Sequence, residues 1–235
     1  MKAILFDFGG TIDTDGIHWS EKFWDAYQKL NINIKKADYE KAFVSAEPVM
    51  LSGIIKSDSS FYNTLLQQVL SQLKHLKKND FLTADLNEDK TARQIVDFCY
   101  ADVRETIKIN KALLEELNKS YILGLVSNFY GNISSVLKEF EIEEYFDAVI
   151  DSGVVGIRKP NPEIYKISVD RLKTEAAETY MVGDSYSRDI KPAKSIGCRT
   201  IWLDGRSYSR PEDTSAADFT VSSLKETHNI FLKDK

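Results

Sequence analysis

Short uninterrupted apolar runs punctuate this chain, and between them apolar residues recur every three or four positions. The runs are Ala3–Phe6 (AILF), 121–127 (YILGLVS), 148–150 (AVI), 180–182 (YMV), 200–203 (TIWL) and a weaker one at Phe219–Val221. Runs this short, flanked by helical patterns, read as parallel strands covered on both faces. The helical patterns are equally plain. Residues 133–140 place Ile133, Val136, Leu137 and Phe140 on one stripe, and 110–118 carry Leu113, Leu114 and Leu117 on one face. Pro160 and Pro162 open a helix over 162–172, where proline is tolerated in the first turn. A further helix over 188–196 ends at Gly197. The alternation predicts an α/β fold, a doubly wound parallel sheet.

Residues 16–105 break that alternation. They hold few strand signals and several amphipathic stretches, at 21–30, 36–45, 61–76 and 89–100. Leu65, Leu66, Val69, Leu70 and Leu73 make one apolar face. A helical insertion of this length would interrupt the sheet after its first strand. The polar end, 229–235, is expected to fray.

Composition narrows the field without naming a function. At 235 residues and 43 % hydrophobic content, the chain can build one generous α/β core, with or without a small second domain. No apolar run approaches the roughly 20 residues that span a bilayer, so no membrane association and a cytoplasmic setting are expected. The net charge of −5, without a Lys/Arg block, argues against nucleic acid as a partner. Cys99 and Cys198 lie far apart and read as buried, reduced thiols.

The candidate chemistry sits where predicted strands end, which is where open parallel sheets bind ligands. Asp7 follows the first run directly and precedes Gly9, Gly10 and Thr11. It is either a loop cap or a nucleophile and metal ligand, with the glycines letting backbone N–H groups approach an anion. Ser127 and Asn128 end the second run and offer a hydroxyl and N–H groups to phosphate oxygens, although both are also ordinary turn residues. Lys159 lies before the Pro-led helix, where it could neutralise a phosphoryl group or simply be a solvated loop lysine. Asp184 stands on the fourth strand where Asp7 stands on the first, and Asp189 follows five residues on. Carboxylates gathered at one edge repel unless a hard cation such as Mg²⁺ sits among them.

Taken together, Asp7, Ser127-Asn128, Lys159 and the GD-x4-D of Asp184 and Asp189 resemble the four motifs of the haloacid dehalogenase-like superfamily. The resemblance covers nearly the whole core. It implies a Rossmann-like core over 1–15 and 106–235, with an α-helical cap over 16–105. It implies Asp7 as the nucleophile, forming an aspartyl-phosphate. Asp7, the Gly9 carbonyl, Asp184 and Asp189 would form the Mg²⁺ site. Gly10, Ser127, Asn128 and Lys159 would bind the phosphoryl group of a small phosphorylated substrate.

One position departs from the pattern. The usual first motif is Asp-x-Asp, whose second Asp protonates the leaving group, and here that place is Gly9. Losing a positioned general acid costs on the order of 10²–10⁴ in rate. A phosphatase could compensate with a leaving group that departs unaided, or with a proton from Asp13, His18 or a cap residue. The alternatives are other chemistry of the superfamily or a non-catalytic binding module. That other chemistry would be dehalogenation, or a phosphonoacetaldehyde-hydrolase-like cleavage using Lys56. In the cap, Trp19, Trp24 and Tyr27 are candidate chamber residues, and Glu47-Pro48 and Gly53 are expected to mark loops.

Overall fold

The structure is a computed structural model that describes residues 2–207 and 211–233. Strand β1 is Ala3–Phe6. Four helices follow before the next strand: α1 Trp19–Lys29, α2 Lys36–Val49, α3 Phe61–Lys78 and α4 Glu88–Leu117. The remainder alternates as β2 Ile122–Ser127, α5 Ile133–Glu139, β3 Ala148–Asp151, α6 Ser152–Val155, α7 Glu163–Leu172, β4 Thr179–Gly183, α8 Lys191–Ser195, β5 Arg199–Leu203, β6 Phe219–Val221 and α9 Thr227–Lys233. The strands form one sheet in the order β3-β2-β1-β4-β5-β6, and every pairing is parallel.

The apolar runs are continuous because both faces of the sheet are covered. Ala3, Leu5, Val126 and Met181 pack against Ile164, Tyr165 and Leu172 of α7. Ile4, Phe6, Leu125 and Val182 join a second, larger core that continues into the helical insertion through Phe61, Val69, Val96 and Val103. Register then sets the site. Phe6 lies opposite Leu125 on one side and Val182 on the other. The residues just past this row are Asp7, Ser127 and Asp184, so three distant segments finish at one edge.

Four local expectations are corrected. The patterns at 89–100 and 110–118 belong to one helix of 30 residues, α4, about 45 Å long at 1.5 Å per residue. Its stripe shifts from cap contacts at Ile95 and Cys99 to core contacts at Leu114 and Leu117 without a break. Pro48 lies in the last turn of α2 rather than in a loop. The C-terminal end is ordered through α9 because the Tyr121 hydroxyl donates to the Phe231 carbonyl at 3.0 Å and the two rings pack. Residues 234 and 235 lie outside the described residues. The helix expected from 188 begins later, at Lys191, after a wide turn over Tyr186–Ile190.

The insertion is tied to the core at α5. Glu139 accepts the Phe61 N–H at 2.7 Å, and Asn132 donates to the Ser59 carbonyl and the Thr64 hydroxyl. Cys99 and Cys198 are free thiols, both buried. Among the described residues no helix is long and apolar enough to cross a membrane.

Leu125 is fully buried between the sheet and the larger core. Leu125→Ala should lower the unfolding free energy by about 2–5 kcal/mol through lost burial and a residual cavity. Urea denaturation of the two proteins checks it.

Candidate active site

The sheet edge gathers charge in a way the isolated motifs do not convey. Lys159 is 5 % exposed, and its Nζ lies 2.7 Å from Asp7 Oδ1 and 2.7 Å from Asp189 Oδ1. It also donates to the Val126 carbonyl at 3.3 Å. Burial alone would lower the lysine's pKa, but Asp189 and Asp7 outweigh it and hold the ammonium above its ordinary value. The lysine is therefore charged and shared between two carboxylates.

The position of Lys159 is set from the neighbouring strand. Asn128 Oδ1 accepts the Lys159 N–H at 2.8 Å, and Asn128 Nδ2 donates to the Lys159 carbonyl at 3.0 Å. The Asn128 side-chain amide is thus engaged by the lysine's backbone. Asp189 is held in turn, accepting the Ser185 N–H at 3.0 Å through Oδ2. The wide turn at 186–190 is what brings this carboxylate back under the strand end.

The loop after β1 is shaped by Gly10. Its φ is +94°, and a Cβ there would lie 2.4 Å from the Asp184 carboxylate. Its N–H donates to Asp13 Oδ1 at 2.7 Å. The glycine was expected to offer that N–H to an anion; instead it serves close approach, and the N–H is taken by Asp13. Thr11 accepts the Asp184 N–H at 3.1 Å and fastens the loop to β4. Asn110 of α4 donates to the Ile12 carbonyl at 2.9 Å.

Gly9 has φ −75° and ψ 115°, a backbone open to any residue. What occupies the space beside it is the Trp19 indole, 3.5–3.7 Å from where a Cβ would stand. Trp19 Nε1 donates to Asp13 Oδ2 at 2.7 Å. Asp13 is wholly buried, and that burial pushes its carboxyl up to about 7. With both oxygens engaged behind the indole, Asp13 has no direct route to a leaving group. His18 lines the cavity, but burial, and then the Arg188 charge, push its imidazole down to about 4. It is neutral at pH 7 and carries no readily released imidazolium proton there.

Asp7, Asp184 and Asp189 offer carboxylate oxygens within 4.8 Å of one another, all buried. Burial raises Asp7 to about 6, and burial with the Asp189 and Asp7 charges raises Asp184 well above the carboxylate range. Fully ionised, three carboxylates against one lysine would leave two negative charges uncompensated, which is why the metal-free site holds protons instead. An all-oxygen donor set with that deficit fits a hard divalent cation.

A cavity of about 230 Å³ opens from this edge toward the insertion. Asp7, Gly9, Ser127, Asn128, Lys159 and Asp184 line its floor. Of the three aromatic candidates, Trp19 lines it, whereas Tyr27 is buried in the core and Trp24 packs on Tyr39. Lys56 is exposed, donates to the Gly53 carbonyl at 2.9 Å and is not a lining residue. Two lining residues carried no readable signal. Arg158 and Arg188 look like surface arginines in sequence, and only the loop geometry turns them to the cavity.

The comparisons with known proteins agree with this geometry. The family described as haloacid dehalogenase-like hydrolase matches residues 1–197. Glyceraldehyde 3-phosphate phosphatase of Methanocaldococcus jannaschii is 39 % identical over 126 residues, 51 % of this chain and 53 % of that protein. The chain thus matches about half the length of such relatives. Phosphoglycolate phosphatase of Vibrio vulnificus is 31 % identical over 99 % of this chain and 96 % of its own. Among solved structures, a HAD phosphatase from Thermococcus onnurineus is 25 % identical with a TM-score of 0.54, covering 98 % of each chain. A dehalogenase structure, 19 % identical with a TM-score of 0.65 and covering 98 % and 96 %, shares the fold.

The raised carboxyls set the pH dependence of the metal-free protein. Asp7, Asp13 and Asp184 bind protons more tightly when folded than at the ordinary carboxylate value of 3.8. Between about pH 4 and 7 the folded state holds the extra protons, so stability falls as pH rises through that window. His18, lowered from 6.5 to about 4, acts in the opposite sense over pH 4 to 6.5, one group against three. Melting in EDTA should occur at lower temperature at pH 7.5 than at pH 5, and millimolar Mg²⁺ should reverse the difference at pH 7.5.

Proposed function

The chain belongs to the haloacid dehalogenase-like hydrolases, and on that premise we propose that it is a Mg²⁺-dependent phosphohydrolase acting on a small phosphomonoester. The observation that carries the reading is the buried Lys159 held 2.7 Å from both Asp7 and Asp189 at the edge where Ser127 and Asp184 also end. We read residues 16–105 as the cap and 1–15 with 106–235 as the core.

In this reading Asp7 attacks phosphorus and forms an aspartyl-phosphate, which water then hydrolyses. Its Oδ1 is held by Lys159 and by the Phe8 N–H at 2.7 Å, which fixes the carboxylate plane before substrate arrives. Lys159 and the Ser127 hydroxyl bind the phosphoryl oxygens and stabilise charge in the transition state. Mg²⁺, held by Asp7, Asp184 and the Gly9 carbonyl with Asp189 in support, would neutralise the carboxylates and the transferring group. Asp189 keeps Lys159 oriented. The cap closes over a small chamber and excludes water, which suits a small metabolite better than a macromolecule. The two reduced thiols are in keeping with a cytoplasmic setting.

Gly9 and Trp19 then define the leaving group. An apolar indole faces the place from which a proton would come, so departure must be intrinsically easy, as with acyl, aryl or sugar 1-phosphates. Lys56 lies outside the cavity, which disfavours Schiff-base chemistry. Three retained carboxylates disfavour metal-free dehalogenation.

Wild type should hydrolyse p-nitrophenyl phosphate only with Mg²⁺, and Asp7→Asn should fall to background. Metal-independent turnover, or turnover surviving in Asp7→Asn, would refute the assignment. Rates across a series of aryl and alkyl phosphates should depend steeply on leaving-group pKa, and a flat series would mean that some residue does donate a proton. Gly9→Asp alone should gain less than the double variant below, because its Cβ already touches Trp19 at 3.5 Å and the carboxylate beyond it would share that space with the indole. Gly9→Asp with Trp19→Ala should raise alkyl phosphate turnover by about 10²-fold or more.

A further inference from the structure

Away from the reactive edge the cavity is walled by apolar groups, among them Trp19, Phe43, Phe61, Leu65 and Phe129. Three charged side chains besides those of the floor line it: Glu47 from α2, and Arg158 and Arg188 from loops at the sheet edge. Arg158 is already committed. It lies 3.1 Å from Glu47, donates to Ser152 Oγ at 3.2 Å and reaches the Phe129 carbonyl at 3.5 Å. The Glu47–Arg158 pair is neutral as a unit and closes one side of the mouth.

Arg188 is different. Its guanidinium makes no hydrogen bond or ion pair among the described residues, although its own carbonyl accepts from Tyr165. It lines the cavity together with His18 from the insertion and Tyr130 from the core. Lys159, by contrast, is held between Asp7 and Asp189 at the strand ends. The arginine therefore lines the cavity without joining the hydrogen-bonded set at the strand ends, exposed and with no ion-pair partner among the described residues.

We propose that Arg188 anchors a second anionic group of the substrate, so that the natural substrate is a small phosphomonoester bearing a carboxylate at the end remote from its phosphate. The assignment of substrate class rests on the phosphohydrolase reading. A planar guanidinium presents paired donors that match a carboxylate's two oxygens, and such bidentate pairs are the strong form of charge-assisted hydrogen bond. One unpaired positive charge calls for one negative charge, which a carboxylate supplies and a second phosphate dianion exceeds. A cavity of about 230 Å³ is smaller than the ~300–1,000 Å³ of drug-sized sites, which limits the bridge between the two anions to a few carbons.

The test compares two non-hydrolysable probes, methylphosphonate and 3-phosphonopropionate, by calorimetry with Mg²⁺ present. Wild type should bind phosphonopropionate at least tenfold more tightly than methylphosphonate. Arg188→Ala should erase that preference and Arg188→Lys should keep part of it. Arg188 is on the surface, so the alanine variant should melt with wild type. Equal weakening of both probes in Arg188→Ala would overturn the proposal by assigning the arginine to the phosphoryl group. A preference that survives in Arg188→Ala, or is absent from wild type, would overturn it as well. Hydrolysis of p-nitrophenyl phosphate by wild type reports on the phosphohydrolase reading alone, so the two can fail separately.

Discussion

A single buried ammonium reconciles the carboxylates at the edge of this sheet. Without Lys159, Asp7 and Asp189 would face each other in a dry site with Asp184 beside them, and the edge would repel itself. With it, one charge is matched and two remain, and that residue of negative charge is what fits the edge to a hard cation. The neighbouring arrangements serve this pair. Asn128 clamps the lysine's backbone, the wide turn at 186–190 returns Asp189, and Val126 gives the third acceptor.

Such a pair holds only if the strand ends are level. Parallel register places Phe6, Leu125 and Val182 in one row, and cores on both faces prevent slippage, since a one-residue shift would turn apolar side chains to the wrong face. The loop after Asp7 is then pinned from three directions. Thr11 reaches β4, Asn110 holds the Ile12 carbonyl from α4, and Gly10 allows the Asp184 carboxylate to pass close by. Because α4 is one helix from insertion to core, the element that supports this loop is also part of the helical insertion.

The helical insertion gives the chamber its character. Trp19, the first residue of α1, stands over Gly9 and is fastened to the buried Asp13. Beside Gly9 the chamber therefore presents an aromatic wall. Across the chamber, Glu47 and Arg158 neutralise each other and Arg188 does not share in it. An unassisted leaving group and a second anion are thus two readings of the same chamber, one from its floor and one from its mouth.

Much of this was legible in the residues themselves. Strand runs and helical stripes depend on local periodicity, and Asp7, Ser127, Lys159, Asp184 and Asp189 follow recognisable strand ends, so fold class and candidate residues could be read. Gly9 was legible as a departure for the same reason. Contacts between distant segments were not. Nothing near Asn128 says that its amide would clamp a lysine 31 positions away, and nothing near Gly10 says that its N–H would turn to Asp13. The patterns at 89–100 and 110–118 read as two helices because only Val103 and Ile107 carry the apolar stripe between them, and the next buried position is the polar Asn110. Arg188 reads as one more polar loop residue until the wide turn aims it into the cavity. Periodicity and strand ends are local properties and survive in a linear text; hydrogen-bond partners, unpaired charges and the filling of an empty side-chain space depend on the packing of remote segments, and only the tertiary structure decided them.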